Sequence, residues 1–548
     1  MASISNIPLL REWLQHCDEH HRGCMRPLIS GNFWPKRIIF IDNSLSGKLT
    51  LVENQFLDED YLVLSHRWGN PTDDDITRFC TTPENYQNRL QGFSCDELPK
   101  TLQDAVKITR VLGKQYLWID SLCIIQRSSD DWDSQARTMQ DIFANAYCTI
   151  AATSAHSWKD GFLTPQPSAQ DDQGQNTSTS LGCGCDFNKD VDEGPLMQRA
   201  WVLQERVLSR RTIHFTTDHV YCECGDGMIC EGLVKFEPPL GTQFYILDPQ
   251  FPNRLNSSGY MRTVQFIQFL FKKYSASGIT KETDRVVAID SLITRIKQIL
   301  RTNSHYGIFG HFLGSLLLWK RTRENGPPIK YTKDQMVPSW SWMAYPGGID
   351  FVREEPTNGF LIPCREDLGF DGDGRALNVK MRNFVASCRV EKREEKYVIL
   401  NGMEEVGSLW FDMGNQIQVK GCKCVVVGTS YGEQEDAVRD YYILVIRAKY
   451  GAMNEDKDGG KDGNQVADTY RGKDEDKDEG KDVDKNGERN WENMGTKMGE
   501  RWRQRWRKVW KKRWGKDEDN DEDNDEDNDE DNMRTTMRTK MGARDMKG

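Results

Sequence analysis

No stretch of this 548-residue sequence is apolar for long enough to cross a bilayer. The first residues, "MASISNIPLLREWLQHC", lack the charged-then-apolar layout of a secretory leader, so the expectation is a cytoplasmic chain. Positive charge is not in excess: 73 Lys and Arg stand against 84 Asp and Glu, a formal net charge of -11. That balance argues against nucleic acid as the main partner. The chain has no phosphate-binding glycine loop of the Walker type. It also has no order of Ser, His and Asp, or of Cys and His, that recommends nucleophilic catalysis. Cysteine, by contrast, is abundant. Fifteen are present, and in a cytosolic chain they read as free thiols or metal ligands rather than disulfides. The odd count excludes complete pairing within one chain.

The low mean hydropathy, -0.70, is not spread evenly. The polar excess sits in the last hundred or so residues, so residues 1 to about 450 have the composition for a sizeable core. Within them, "YLVLSHRWGN" stands out. The apolar run Tyr61–Leu64 reads as a buried strand, and it ends abruptly in Ser65, His66, Arg67, Trp68 and Gly69. "LPKTLQDAVKITRVLG" then places Leu102, Ala105, Val106, Thr109 and Leu112 on one helical face, with Gly113 as the stop. "QYLWID" predicts a strand, "DDWDSQARTMQDIFANA" a helix with Ala136, Met139, Phe143 and Ala146 in line, and "YCTIAAT" a strand. Alternation of this kind predicts an α/β domain with a parallel sheet and covering helices. Ligands of such sheets bind beyond the carboxyl ends of the strands. If the strands are adjacent, Ser65–Arg67, Asp120–Ser121 and Thr153, Ser154 and His156 converge on one edge.

Further along, "LMQRAWVLQERVLS" predicts a helix and "RTIHFTTDHVYCEC" a hairpin turning at Thr217-Asp218. Residues 260–325 hold amphipathic helices, notably "DRVVAIDSLITRIKQIL", and residues 375–450 are rich in β-formers. The expected organisation is an N-terminal flanking segment (1–58), a main domain (59–225) with an insertion or mobile loop at 157–194, a mixed helical then β-rich region (226–450) and a low-complexity tail (451–548). The tail, with its "DEDN" repeats, has nothing from which to build a core and is expected to be disordered.

Four blocks, "YLVLSHRWG", "LPKTLQDAVKITRVLGKQYLWIDSLCIIQ", "DDWDSQARTMQDIFANAYCTIAATSA" and "RAWVLQERVLSRRTIHF", resemble the successive motifs of the fungal heterokaryon incompatibility (HET) domain. "WLQHCDEHHRGC" and "VPSWSWMAYPGGIDF" resemble segments that flank it. The resemblance implies a part in fungal non-self recognition and programmed cell death, with other incompatibility proteins or further copies of the chain as partners. It also implies a fold similar to the Toll/interleukin-receptor (TIR) and flavodoxin-like domains. Some TIR domains cleave NAD, which makes NAD a candidate substrate by fold analogy, with no bound cofactor expected.

That analogy sets the chemistry to look for. Splitting nicotinamide from ribose passes through an oxocarbenium-like state that a carboxylate can stabilise. Asp120 and Glu205 are the candidate catalytic residues, with Asp133 nearby. Trp68 or Trp118 is a candidate for stacking on a base, Arg67 or Arg206 for holding a diphosphate, and Ser65 for a ligand oxygen. Each has a plainer reading. Asp120 can cap a turn through Ser121, Glu205 and Arg206 can form a buried ion pair, Ser65 can simply end its strand, and Trp201 can belong to the core. His66, which stands where relatives often carry Tyr, is expected to line the pocket rather than transfer protons. Relatives often carry Glu where this chain has Gln135, which keeps the hydrogen bonds but not the charge. Three functions therefore stand side by side: an NAD-cleaving effector, a non-enzymatic module that oligomerises to signal death, and a member that has lost activity.

"CDEHHRGC" places Cys17, His20 or His21, and Cys24 within reach of one ion, with Cys222, Cys224 or Cys230 available as a fourth donor. The spacing is not that of a standard finger, reduced core thiols are the favoured reading, and no metal set is assigned. In the tail, Trp502, Trp506, Trp510 and Trp514 recur among cations over residues 501–514, a pattern that suits contact with an anionic membrane surface or drifted repetitive sequence.

Overall fold

Every residue from Tyr61 to Ser65 is buried, so this strand has no solvent face. It needs a neighbour on each edge and cover on both sides, and it has them. The computed structural model describes residues 2–3, most of 7–352 (excepting 26–32, 43–46, 55–58, 165–183, 232–234, 237–244, 324–325 and 333–335) and parts of 362–446. Ten strands form one sheet: β1 (Arg37–Ile41), β2 (Lys48–Glu53), β3 (Tyr61–Ser65), β4 (Phe93–Ser94), β5 (Tyr116–Trp118), β6 (Cys148–Ala151), β7 (Arg211–Phe215), β8 (Val220–Cys224), β9 (Gly227–Cys230) and β10 (Lys235–Phe236). Their order is β10-β9-β8-β7-β6-β3-β5-β1-β2-β4. The centre is parallel: Leu62 of β3 lies opposite Leu117 of β5, Val63 opposite Thr149 of β6, and Ile150 opposite Ile213 of β7. The strands outside β5 and β7 pair antiparallel. The sheet is therefore mixed, with the expected parallel strands as its core.

Among the parallel strands the spatial order β5-β3-β6-β7 reads second, first, third, fourth along the chain. The chain leaves β3 toward one side and then returns to the other, so the connections diverge between β3 and β6. A crevice opens at the carboxyl ends of the strands at such a switch point, and Ser65 stands there.

The covering helices follow their sequence patterns. Helix α1 spans Ile7–His20, α2 Lys100–Val111, α3 Asp120–Cys123, α4 Ser129–Asn145, α5 Ala200–Leu208, α6 Tyr260–Ala276 and α7 Val287–Leu300. The buried face of α2 includes Leu102, Ala105, Val106 and Thr109. Its end is a Schellman closure: Gly113 N–H donates to the Arg110 carbonyl (3.0 Å) and Lys114 N–H to that of Thr109 (3.0 Å). Gly113 takes φ +73°, which glycine adopts without a Cβ penalty. In α4 the Ser128 hydroxyl accepts the Asp131 N–H, and Gln135, Ala136, Met139, Ile142 and Phe143 are buried. The hairpin of β7 and β8 turns at 216–219, where Thr216 N–H donates to the His219 carbonyl at 3.1 Å.

Three boundaries differ from the sequence reading. Residues 1–58 are more than a flank, because β1 and β2 belong to the main sheet. Buried Arg37 ties them in: it donates to the Cys123 carbonyl (2.7 Å), to Glu53 (3.2 Å) and to the Asp131 carboxylate. At the other end the sheet continues past residue 225 through β9 and β10. One hydrophobic cluster then runs from Leu10 to Val427, with α6 and α7 contributing Phe266, Phe271, Ile289 and Leu292, so no separate core begins at 226. The insertion at 157–194 is anchored at both ends. Trp158 and Phe162 are fully buried, and a helical turn at Asn188–Asp192 buries Val191. The β-rich expectation for 375–450 holds, with strands Cys388–Arg393, Lys396–Asn401, Glu404–Leu409, Lys423–Thr429 and Tyr441–Ile446. Residues 451–548, with the tryptophan island at 501–514, lie outside the described residues.

Removing the partner of a buried cation is costly because the charge stays behind. Asp131→Ala, which removes the more deeply buried of the two carboxylates on Arg37, is expected to destabilise the fold by about 3 kcal/mol. Exposed Asp133→Ala, two positions along, should stay within about 0.5 kcal/mol of the parent. Urea unfolding followed by tryptophan fluorescence separates the two.

Candidate functional site

Five consecutive residues at the end of β3 go to five different tasks. Ser65 Oγ donates to Glu205 Oε2, across to α5. His66 is buried, and its carbonyl accepts from Arg199 Nη1 at 2.6 Å. Its ring Nδ1 lies 3.8 Å from Asp120 Oδ1, while Nε2 is buried with no partner among the described residues. Half-buried Arg67 donates to the Pro195 carbonyl at 3.0 Å. Half-buried Trp68 donates from Nε1 to Asp120 Oδ2 at 2.9 Å and stacks on Trp158, the rings 5.3 Å apart and 20° from parallel. Gly69 turns the chain at φ +75°, and a Cβ there would lie 2.6 Å from that of Ser157, so only glycine fits.

Glu205 thus meets Ser65, and Asp120 lies beside the next residue, His66. Asp120 also accepts the Ser121 N–H at 2.7 Å, so the turn-capping role foreseen for it coexists with the contact to Trp68. Its side chain is 27% exposed, and it is the more accessible carboxylate. Glu205 is 8% exposed. Burial pushes its carboxyl up to about 7; Arg199 and the Ser65 hydroxyl hold it down and the negative field of Asp120 raises it further. Burial pushes His66 down to about 4, against the pull of Asp120, so the ring is neutral at pH 7. The arrangement supplies a carboxyl poised near neutrality, a second carboxylate open to solvent, a neutral imidazole and an indole held by hydrogen bond and stacking. A group with its pKa near the working pH serves best as general acid or base.

Not every residue named from sequence arrives here. Arg206 turns about 100° round α5 from Glu205. Its guanidinium is buried against Glu223 (2.6 and 2.8 Å) and Asp192 (2.5 Å), with Lys273 on Asp192 (2.8 Å) and His214 on Glu223 (2.8 Å). Glu205 and Arg206 are therefore not each other's partners, and Arg206 is committed to a scaffold network. Trp118 is 1% exposed and packs edge-on against Phe143, inside the core. Asp133 is exposed. Trp201 packs edge-on with Trp132. Thr153 lies 3.3 Å from His214 rather than beside Asp120, and His156 is exposed.

Two features were missed. Arg199, just ahead of α5, touches the His66 carbonyl and acts on both His66 and Glu205; nothing in "QRAW" distinguishes it from a surface arginine. The second is that several buried side-chain oxygens have no hydrogen-bond partner among the described residues, Ser121 Oγ, Gln135 Oε1 and Gln204 Oε1 among them. Buried polar atoms are rarely left so in native proteins unless water or a ligand meets them.

A mixed α/β domain with paired carboxyl groups at the carboxyl edge of its parallel strands is thus the class that fold and site define. Residues 61–205 match the family model described as heterokaryon incompatibility protein (HET), so the chain carries a HET domain over those residues. The match begins on the strand that ends in Ser65 and closes on Glu205, the two ends of the buried contact. No curated protein and no solved structure matches the chain.

Because folding raises the Glu205 pKa, the folded chain holds a proton that the unfolded chain releases between pH 4.5 and about 7. Its contribution to stability is full below pH 4.5 and is lost as pH rises through 7. Glu205→Gln stays neutral and should lack this loss. Relative to wild type, the variant is expected to gain about 3 kcal/mol between pH 4.5 and 8, read from urea midpoints across that range.

Proposed function

We propose that this HET domain is the death-triggering effector of a fungal non-self recognition protein, and that it acts by cleaving NAD between nicotinamide and ribose. The observation that carries the reading is the pair Glu205 and Asp120 beside Ser65 and His66 at the switch point. Dinucleotides bind α/β sheets at that place. The wider likeness to TIR domains supports it as an analogy of fold.

In this reading Trp68 stacks on a ring of the dinucleotide. Asp120, the more exposed carboxylate, faces the positive charge that develops on the ribose. The bond from ribose C1′ to the pyridinium nitrogen breaks, and its electron pair neutralises the departing nicotinamide. No proton is needed on the leaving group. Water adds to C1′ and gives its proton to Glu205, whose pKa near 7 leaves a substantial ionised fraction at neutral pH. Neutral His66 lies beside Asp120 and keeps its charge unchanged through the reaction. Arg67 and Arg199 add positive potential for a diphosphate.

A second reading rests on the depth of Glu205 and on the uncharged, buried Gln135. Both suit a domain in which the same surface is an assembly interface and death follows oligomerisation.

Induced expression in a fungal host, with growth and cellular NAD followed together, separates the two. The expected result is growth arrest with falling NAD for wild type, and cleavage slowed by about 10²–10⁴-fold in Glu205→Gln and in Asp120→Asn. Arrest with NAD unchanged would overturn cleavage and leave the assembly reading standing.

A further inference from the structure

We propose that Cys17, His21, Cys24 and Cys224 form a structural zinc site that pins the N-terminal helix to strand β8. Their donor atoms all lie within 4.8 Å of one another. A tetrahedral zinc with Zn–S about 2.3 Å and Zn–N about 2.0 Å holds its ligands ~3.5–3.8 Å apart. Small side-chain rotations close the difference, and His21 Nδ1 already stands 3.4 Å from Cys224 Sγ.

The backbone builds the cluster from three places. Cys17 lies in the last turn of α1. His21 follows the helix end, its N–H donating to the Cys17 carbonyl at 3.0 Å. Cys24 closes a tight turn, its N–H donating to the His21 carbonyl at 2.9 Å. Cys224 is the last residue of β8. The turn after it is clamped, since a Cβ on Gly225 would lie 2.6 Å from the Pro249 ring. Cys17 and Cys24 are buried, while His21 and Cys224 are half-buried and leave the ion a route in.

The surroundings are those of a metal site rather than of packed thiols. The outer nitrogen of His21, Nε2, lies 3.2 Å from Asp226 Oδ2. A carboxylate on the far side of a ligating imidazole fixes its orientation and its donor atom. Asp226 is itself held by Lys235 at 2.8 Å, and its N–H lies 3.5 Å from Cys224 Sγ. Three thiolates around a divalent ion leave one negative charge. Buried Arg211 brings positive potential to the cluster, donating to the Cys24 carbonyl at 3.4 Å, and shares its charge with Asp18 at 2.7 Å. Sequence spacing left open which histidine and which later cysteine would serve. His20 instead contacts the His16 carbonyl of its own helix (3.0 Å) and stacks on His16. Cys230 lies against Cys185 at 2.8 Å.

Four protein ligands leave no open position, so the ion is structural and not a Lewis acid. Its place in the fold gives it a consequence. Cys224 adjoins Glu223, which holds Arg206, the neighbour of Glu205 on α5. Metal binding therefore stiffens the scaffold behind the carboxyl pair.

The full-length chain, purified without chelator from zinc-supplemented cells, should carry one zinc per chain by mass spectrometry of the metal. Exchange with cobalt should give thiolate-to-cobalt charge transfer and the intense visible bands of a tetrahedral ion. Asp226→Asn is expected to weaken zinc affinity by about 10–100-fold, with His20→Ala and Cys230→Ser at the wild-type value. Cys17→Ser with Cys24→Ser should abolish zinc binding; if that variant does not fold, the cobalt spectrum of wild type and the Asp226→Asn affinity decide. A folded wild-type chain that takes up neither zinc nor cobalt in stoichiometric amount would overturn the proposal. So would zinc retained by a folded Cys17→Ser, Cys24→Ser chain, or an affinity indifferent to Asp226.

Discussion

A carboxyl group buried against a hydroxyl, Glu205 on Ser65, is the contact around which the rest is arranged. Burying a carboxyl costs free energy unless hydrogen bonds and charge offset it. Here Arg199 and Ser65 do so only in part, and the carboxyl stays protonated well into the neutral range. The neighbouring structure leaves neither residue room to escape. Ser65 ends a strand locked between two parallel partners. Glu205 is held on its helix face because Arg206, one residue on, is fixed by Glu223 and Asp192. The ion-pair network thus serves the site without entering it. A group kept in an unfavourable setting by an over-determined frame is how proteins prepare chemistry.

The sequence made the central sheet legible and the periphery much less so. The run Tyr61–Leu64, the helical faces of 100–111 and 129–145, and the turn near Thr217 carry periodicity and stop signals strong enough to read directly. Strand adjacency, needed to bring Ser65 and Asp120 together, stays a condition at the level of sequence and is supplied by the pairing of β3 with β5. The strands Arg37–Ile41 and Lys48–Glu53 were overlooked because short runs such as "RIIFI" and "KLTLVE" have no pattern of their own; pairing decides them. Arg206 is a candidate for holding a diphosphate or for pairing with Glu205, yet adjacent helix residues diverge by about 100° and its guanidinium is taken by Glu223 and Asp192. Trp118 was read as a stacking surface, although on a strand paired through Trp118 to Val63 it turns into the core. Arg199 and Cys224 carry no signal until the fold places His66 and Cys17 beside them.

The bounds of the family match fit this division. Residues 61–205 contain both carboxyl groups and the strands that present them. The supporting parts lie outside: β1 with Arg37 before it, and β7 and β8 with His214, Glu223 and Cys224 after it. Cys17, His21 and Cys24 reach the same hairpin from the N-terminal helix. The sheet is thus braced by segments before and after the matched residues, with ion pairs beside α5 and the cysteine-histidine cluster on β8.

The measurement that bears most directly on this account is nicotinamide release from NAD by the purified full-length chain, followed by liquid chromatography from pH 5 to 9. The account predicts release by wild type at a rate that rises as Glu205 ionises, through pH about 7, with the rise absent in Glu205→Gln. A folded chain that binds NAD without releasing nicotinamide, or a rate with the same pH profile in both proteins, would contradict it.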